Sequence, residues 1–171
     1  MSWWRAILWV AAFAAIAAFA IDRFGAGGST ARGGRASGTV TRVVDGDTVH
    51  VRIDGSDERV RYIGVDTPET VKPNTPVQCF GEAASHYNRR LVAGQAVRLR
   101  FDAERHDRYG RLLAYVYRAR DGLFVNAALV RGGYATTLTI APNTVHAAQF
   151  AALERRARGH RRGLWRRCPA G

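Results

Sequence analysis

Between residues 39 and 65 three short β-branched or alternating runs follow one another with only tight turns between them. TVTRVV (39–44) is β-branched, DGD (45–47) is a turn sequence, DTVHVRID (47–54) alternates, GSDE (55–58) turns again, and RVRYIGV (59–65) returns. Runs of this kind, so closely spaced, form a three-strand meander. Beyond it the spacing of Phe80, Ala84, Tyr87 and Leu91 predicts a helix over 80–94 that Gly94 stops. AVRLRFD (96–102) and RLLAYVYRA (111–119) are two further strands, joined by the charged loop AERHDRYG. A short helix is predicted over 123–133, and a longer amphipathic one over 143–159 with Asn143 as its cap. Five strands with about three interposed helices give an α+β, mainly β, class and point to a small closed barrel of the OB type.

The rest of the chain lies outside that unit. At 171 residues there is room for one domain with a proper core and some extras. In residues 1–23 a single Arg5 precedes sixteen uncharged, mostly apolar residues from Ala6 to Ile21, and Asp22-Arg23 ends the run. That is long for a cleaved signal core and short for a spanning helix, which needs about 20 residues. The segment reads as a signal peptide or an uncleaved membrane anchor, so the protein is expected to be exported, either secreted or periplasmic, or anchored to the outer face of the cytoplasmic membrane. Residues 24–38 are rich in Gly, Ser and Arg and read as a flexible linker. The folded domain is expected to span 39–171, with a monomer as the default state.

Charge narrows the partners. The chain has 26 Lys+Arg against 14 Asp+Glu, a net +12, and Lys72 is its single lysine. Such a field favours polyanions, either nucleic acid or an anionic membrane surface. The stretch RRARGHRRGLWRRC (155–168) alone carries seven arginines, with Trp165 among them. Trp165 either suits nucleic acid or acidic lipid or docks on the barrel, and the arginines are expected to steer an anionic partner either way. The two cysteines, Cys79 and Cys168, lack metal-type spacing, and are two inert thiols or one disulfide depending on compartment.

Against this background the acids stand out. In DTVHVRID, Asp47 shares a face with Val49, Val51 and Ile53 and so lies on the inward side of its strand. A bare buried carboxylate costs several kcal/mol unless cations or donors compensate it. Asp66, at the end of a nearby strand, can reach the same place, and two converging carboxylates call for a hard dication, Ca²⁺ or Mg²⁺ rather than zinc. The plainer alternative is that Asp47 caps its own DGD turn. Arg61 and Arg111 each open an apolar strand segment at a barrel rim, where a planar guanidinium suits phosphate oxygens. Glu69, three residues past Asp66, is placed to orient or deprotonate a water. These groups suit metal-assisted attack on a phosphodiester.

DGDT (45–48), RYIGVDTPET (61–70) and DRYGRLLAY (107–115), in that order and spacing, resemble the three signatures of the staphylococcal-nuclease-like, or thermonuclease, family. NAALVRGGYA (126–135) also matches, so that the resemblance covers roughly residues 39–165. It implies a five-stranded OB barrel with three helices and hydrolysis of DNA and RNA to 3′-phosphate ends. It further implies that Asp47, Asp66 and the main-chain carbonyl of Thr67 hold Ca²⁺, that Arg61 and Arg111 bind the scissile phosphate, and that Glu69 acts as general base. Arg108 and Tyr109 would contact substrate, and Cys79 and Cys168 would form a disulfide like that of other exported relatives. A member of the family carries a tyrosine pair before a turn, where this chain has TTLTIAPN (136–143) without an aromatic. The competing possibility is a non-catalytic OB-type nucleic-acid-binding module, exported or membrane-anchored, for which Glu69 has no use.

Overall fold

The computed structural model describes residues 34–70 and 76–168. Three strands open the chain: β1 (Arg35–Val43), β2 (Thr48–Ile53) and β3 (Ser56–Tyr62), paired as an antiparallel meander. A three-residue β4 (Gly64–Asp66) and helix α1 (Gly81–Val92) follow, then β5 (Ala96–Arg100), β6 (Leu112–Arg118) and helix α2 (Val125–Gly132). A short β7 (Thr136–Leu138), helix α3 (Ala147–Gly159) and the four-residue α4 (Leu164–Arg167) complete the order. Strands β1, β2, β3, β6 and β5 are neighbours in that sequence and close into a barrel. The one parallel pairing within it joins β3 to β6, with Arg61 opposite Leu113. The five-stranded barrel and the three longer helices are those expected from the sequence.

Alternation fills the barrel. Val49 and Val51 of β2, Val60 and Tyr62 of β3, Val97 and Leu99 of β5, and Ala114 and Val116 of β6 are all buried. Val92 of α1, Leu129 of α2 and Phe150 of α3 join the same cluster. Truncating a fully buried Phe or Leu in such a core costs about 3–5 kcal/mol.

Four details depart from the sequence reading. First, β1 starts at Arg35 rather than Thr39, because residues 35–39 pair backbone to backbone with Arg100 through Ala96 of β5. The last part of the expected linker is therefore barrel wall, while residues 1–33, which hold the expected leader and the rest of the linker, lie outside the described residues. Second, RVRYIGV is not one strand. Gly64 has φ 78°, and a Cβ there would stand 2.6 Å from the Phe150 ring. The chain bends at that residue, and β4 leaves the barrel to pair with β7. Third, β7 itself was not foreseen. Fourth, α3 begins at Ala147, and Asn143 is no cap: its side chain accepts from Glu104 N–H at 2.8 Å and donates to Glu104 C=O at 3.0 Å.

Two buried asparagines connect this frame to the region where the acids converge. Asn126 of α2 accepts from Val116 N–H and donates to Ile63 C=O, fixing the β3–β4 bend against β6. Asn88 of α1 accepts from the Tyr62 hydroxyl and donates to Asp45 C=O, fixing the DGD turn against α1. Burial pushes the Tyr62 phenol far above its ordinary range, which keeps it a donor.

Candidate active site

The DGD turn carries Asp45 and Asp47 into contact with the chain that follows β4. Val44 and Asp45 N–H groups both donate to Thr48 C=O, and Asp47 N–H donates to Asp45 Oδ1 at 3.0 Å. Gly46 sits between them because a Cβ there would fall 2.6 Å from Thr67 Oγ1. Asp47 is 5% exposed, and its carboxylate has a donor on every side. Oδ1 accepts from the Thr48 hydroxyl at 3.1 Å and faces Arg61 Nε at 3.2 Å. Oδ2 accepts from Thr67 N–H at 2.8 Å and from the Thr67 hydroxyl at 2.9 Å. These four donors offset the cost of burying the charge.

Arg61 joins the two acids. Its Nη2 donates to Asp66 Oδ1 at 2.9 Å, while Nη1 donates to the main-chain carbonyls of Tyr62 and Val65 at 2.9 and 2.7 Å. Three of its five N–H groups therefore donate to protein acceptors, and Nε forms an ion pair with Asp47. Arg111, just ahead of β6, differs. Asp107 accepts its Nε at 2.6 Å and its main-chain N–H at 2.9 Å, and among the described residues no acceptor holds either Nη group. Glu69 is anchored through its backbone, its N–H donating to Gln78 Oε1 and its C=O accepting from Gln78 N–H, while its Oε1 accepts from Thr70 N–H.

All these side chains line one cavity of about 230 Å³: Asp45, Asp47, Arg61, Asp66, Glu69 and Arg111, with Thr67 beside them. Burial, reinforced by the Asp47 charge, pushes Asp45 up to about 6. Partial burial also raises Asp66, the Asp47 and Glu69 charges adding to it and the Arg61 guanidinium opposing it. Carboxyls raised in this way, in a cleft, are held where a positive charge would relieve them. Asp107 goes the other way. Its partial burial is outweighed by hydrogen bonds from the Arg111 side chain and from the Arg111 and Tyr109 backbones, which hold it below the usual carboxylate range.

Among the described residues no group of three or more His, Cys, Asp or Glu forms a ready metal cluster. The donors in the cavity nonetheless fit a hard cation. They are all oxygens, with Asp47 and Asp66 bridged by one guanidinium and the Thr67 backbone adjoining them. Among the described residues neither thiolate nor imidazole lines the cavity, and an all-oxygen set suits a hard cation better than zinc.

A second cavity of about 540 Å³ shares Arg61 and Arg111. Arg108 and Tyr109 line it and are bound to each other, Arg108 Nη2 donating to the Tyr109 hydroxyl at 2.7 Å. Tyr109 is 68% exposed, with the Arg108 and Arg111 guanidinium groups over its ring. The stretch without aromatics supplies Leu138 and Ile140 to the same cavity. Cys79 and Cys168 are joined by a disulfide. Trp165 is half-buried beneath Arg158 of α3, whose guanidinium carbon is 4.3 Å from the ring centroid.

The structure brings Asp47, Arg61, Asp66, Thr67, Glu69 and Arg111 into one cavity and adds three residues that sequence reasoning missed. Asp45 was read as a turn residue, although a second acid across a glycine was its signal. Asp107 was legible only as an acid four residues before Arg111. Asn88 left no trace, since a polar residue inside a helical pattern reads as surface.

The family model described as "Staphylococcal nuclease homologue" matches residues 59–167. The chain is 46% identical over 128 residues to a protein named Thermonuclease from Staphylococcus intermedius, with 75% of each chain covered. It is 42% identical over 126 residues to Thermonuclease of Staphylococcus hyicus, covering 74% of this chain and 73% of that one. Endonuclease YncB of Bacillus subtilis (strain 168) is 44% identical over 129 residues, covering 74% and 60%.

Proposed function

The chain belongs to the staphylococcal nuclease family, and we propose that it is a calcium-dependent, sugar-nonspecific endonuclease that cuts DNA and RNA and leaves 3′-phosphate ends. It is a hydrolase of phosphodiester bonds, and nucleic acid is its substrate. The observation that carries the finer reading is the single cavity in which Asp47 and Asp66 face each other across Arg61, with Glu69 and Arg111 on the same walls.

Asp47 and Asp66, with the main-chain carbonyl of Thr67, would hold Ca²⁺. When bound, it supplies a positive charge that polarises the phosphoryl oxygens and acidifies a water. Arg111 presents its two Nη groups to the non-bridging oxygens as a planar fork, its direction set by Asp107. Arg61 contributes the Nη2 N–H that Asp66 does not accept. Together they stabilise the additional negative charge that develops as phosphorus becomes five-coordinate. Glu69 orients the attacking water and accepts its proton while the bond to the 5′ oxygen breaks, so that the phosphate stays on the 3′ side. Arg108 and Tyr109, at the mouth of the second cavity, contact the adjoining nucleotide. The Cys79–Cys168 disulfide supports export, since such bonds persist outside the reducing cytoplasm.

The test is a digestion of heat-denatured DNA by the purified chain with calcium or with chelator. Cleavage in calcium alone, lost in Glu69→Gln and Arg61→Ala, with new ends that a 3′-phosphatase opens to polymerase, is the expected result. Strand binding without cleavage in every condition would overturn the reading in favour of a binding module.

A further inference from the structure

A groove of about 890 Å³ lies apart from both cavities already described. Cys79 and Phe80 line it together with Arg161, Arg162, Arg166 and Arg167. No acid lines it. Tyr134 also lines it, with its ring stacked on Phe80 at 5.4 Å and on Tyr87 at 4.0 Å. It thus combines four guanidinium groups with partly exposed aromatic surface.

Holding those arginines in place runs against their mutual repulsion. Helix α4, which carries Arg166 and Arg167, has four residues and none of them is fully buried, Trp165 being half-buried under Arg158. Covalent and backbone links fasten it further: the Cys79–Cys168 disulfide and the Leu164 N–H donated to Gly133 C=O at 2.9 Å. A solvated surface needs no such fastening, because loose arginines keep a protein soluble as well as fixed ones do. Fixed arginines facing a concave aromatic surface suit a polyanion with flat faces to stack.

The groove also adjoins the catalytic cavity through the chain. Gln78, next to Cys79, exchanges two hydrogen bonds with the Glu69 backbone, and a Cβ on Gly81 would meet the carbonyls of Pro68 and Glu69 at 3.0 Å. The segment that borders the groove is therefore the one that supports Glu69. We propose that the groove binds single-stranded nucleic acid flanking the cleavage site, so that a long strand is held both at the scissile phosphate and at the arginine wall. This rests on the nuclease reading for its function and on the groove alone for its binding. An anionic membrane is the poorer partner, since the apolar rings line a concavity instead of projecting from the surface.

The experiment uses the full chain and the variant R161S/R166S/R167S, with melting temperature as the control for folding. In chelator, binding of a labelled oligothymidylate about 20 nucleotides long is followed by anisotropy over a range of salt. Loss of three phosphate contacts should weaken binding at least about tenfold and make the log–log salt dependence shallower by about 2. In calcium, the ratio of kcat/KM for the long strand to that for a dinucleotide should fall by about tenfold. The variant C79S/C168S keeps every charge but frees the wall, and should also lose affinity for the long strand. Unchanged affinity and salt slope in the triple variant overturn the proposal, as does an equal loss on the dinucleotide. A loss of binding confined to phosphatidylglycerol vesicles overturns it as well. If the wild type cuts nothing yet binds the long strand through these arginines, the hydrolase reading fails and the groove stands.

Discussion

Asp107 holds Arg111 from two directions, its Oδ2 accepting Nε at 2.6 Å and its Oδ1 accepting the main-chain N–H at 2.9 Å. One carboxylate thus fixes both the backbone and the guanidinium of an arginine that lines the cavity with Arg61. The direction of the fork is set before any substrate arrives, and the two Nη groups are left for it.

Replacing Asp107 by Asn keeps an acceptor for the backbone but removes the charge-assisted bond to Nε. Misplacing a substrate-clamping group by a fraction of an ångström typically lowers turnover by about 10- to 100-fold. The expected outcome for Asp107→Asn is a loss of that size in kcat, with KM moving little, and partial recovery in Asp107→Glu. Steady-state kinetics on a chromogenic phosphodiester checks it; a loss confined to KM would show that the fork does not act in the transition state.

Arg61, proposed to bind phosphate, also carries stability. Without it, Asp47 keeps its Thr48 and Thr67 donors but loses its counter-charge while 5% exposed. Removing one partner of a buried pair costs about 3–5 kcal/mol. Arg61→Ala is therefore expected to melt well below the wild type in chelator. Because calcium can take over the lost charge, the gain in Tm on adding calcium should be larger in Arg61→Ala than in the wild type, as measured by calorimetry. Equal gains would mean that the cation is held elsewhere.

Asp45 gives the protein a pH dependence opposite to that of an ordinary paired carboxylate. Its carboxyl is raised from 3.8 to about 6 in the folded state, so folding favours its protonated form. The penalty is absent below 3.8 and complete above about 6, and stability in chelator falls as pH rises through that window. The drop is on the order of 3 kcal/mol. Urea unfolding across the window should show it in the wild type and show little of it in Asp45→Asn.

The disulfide spans 89 residues of chain, from the segment behind Glu69 to the end of α4. Closing a loop of that length stabilises by about 4–5 kcal/mol in the chain-entropy description. Cys79→Ser/Cys168→Ser is expected to lower Tm by several degrees while dinucleotide cleavage survives, because neither cysteine lines the catalytic cavity.

Much of this was legible beforehand, and the failures have physical causes. Alternation in DTVHVRID put Asp47 on the buried face because a strand's period leaves no other choice. Arg61 and Arg111 were readable as rim residues because each precedes an apolar run. RASG was taken for linker because small residues hide a strand whose support is backbone pairing with β5, not side-chain burial. The bend at Gly64 escaped notice because it depends on Phe150, which lies 86 residues further along the chain. The role of Asn143 depends likewise on Glu104. Contacts made across the chain, unlike periodicity, leave no local pattern to read.

The central claim is that Asp47 and Asp66 share a calcium ion between two phosphate-binding arginines. Titrating calcium into the wild-type chain by calorimetry, with a nucleoside bisphosphate present, tests it directly beside the same titration of Asp66→Asn. The account predicts one ion per wild-type chain and an affinity at least about tenfold weaker in the variant. No calcium binding by the wild type, or equal binding by both, would contradict it.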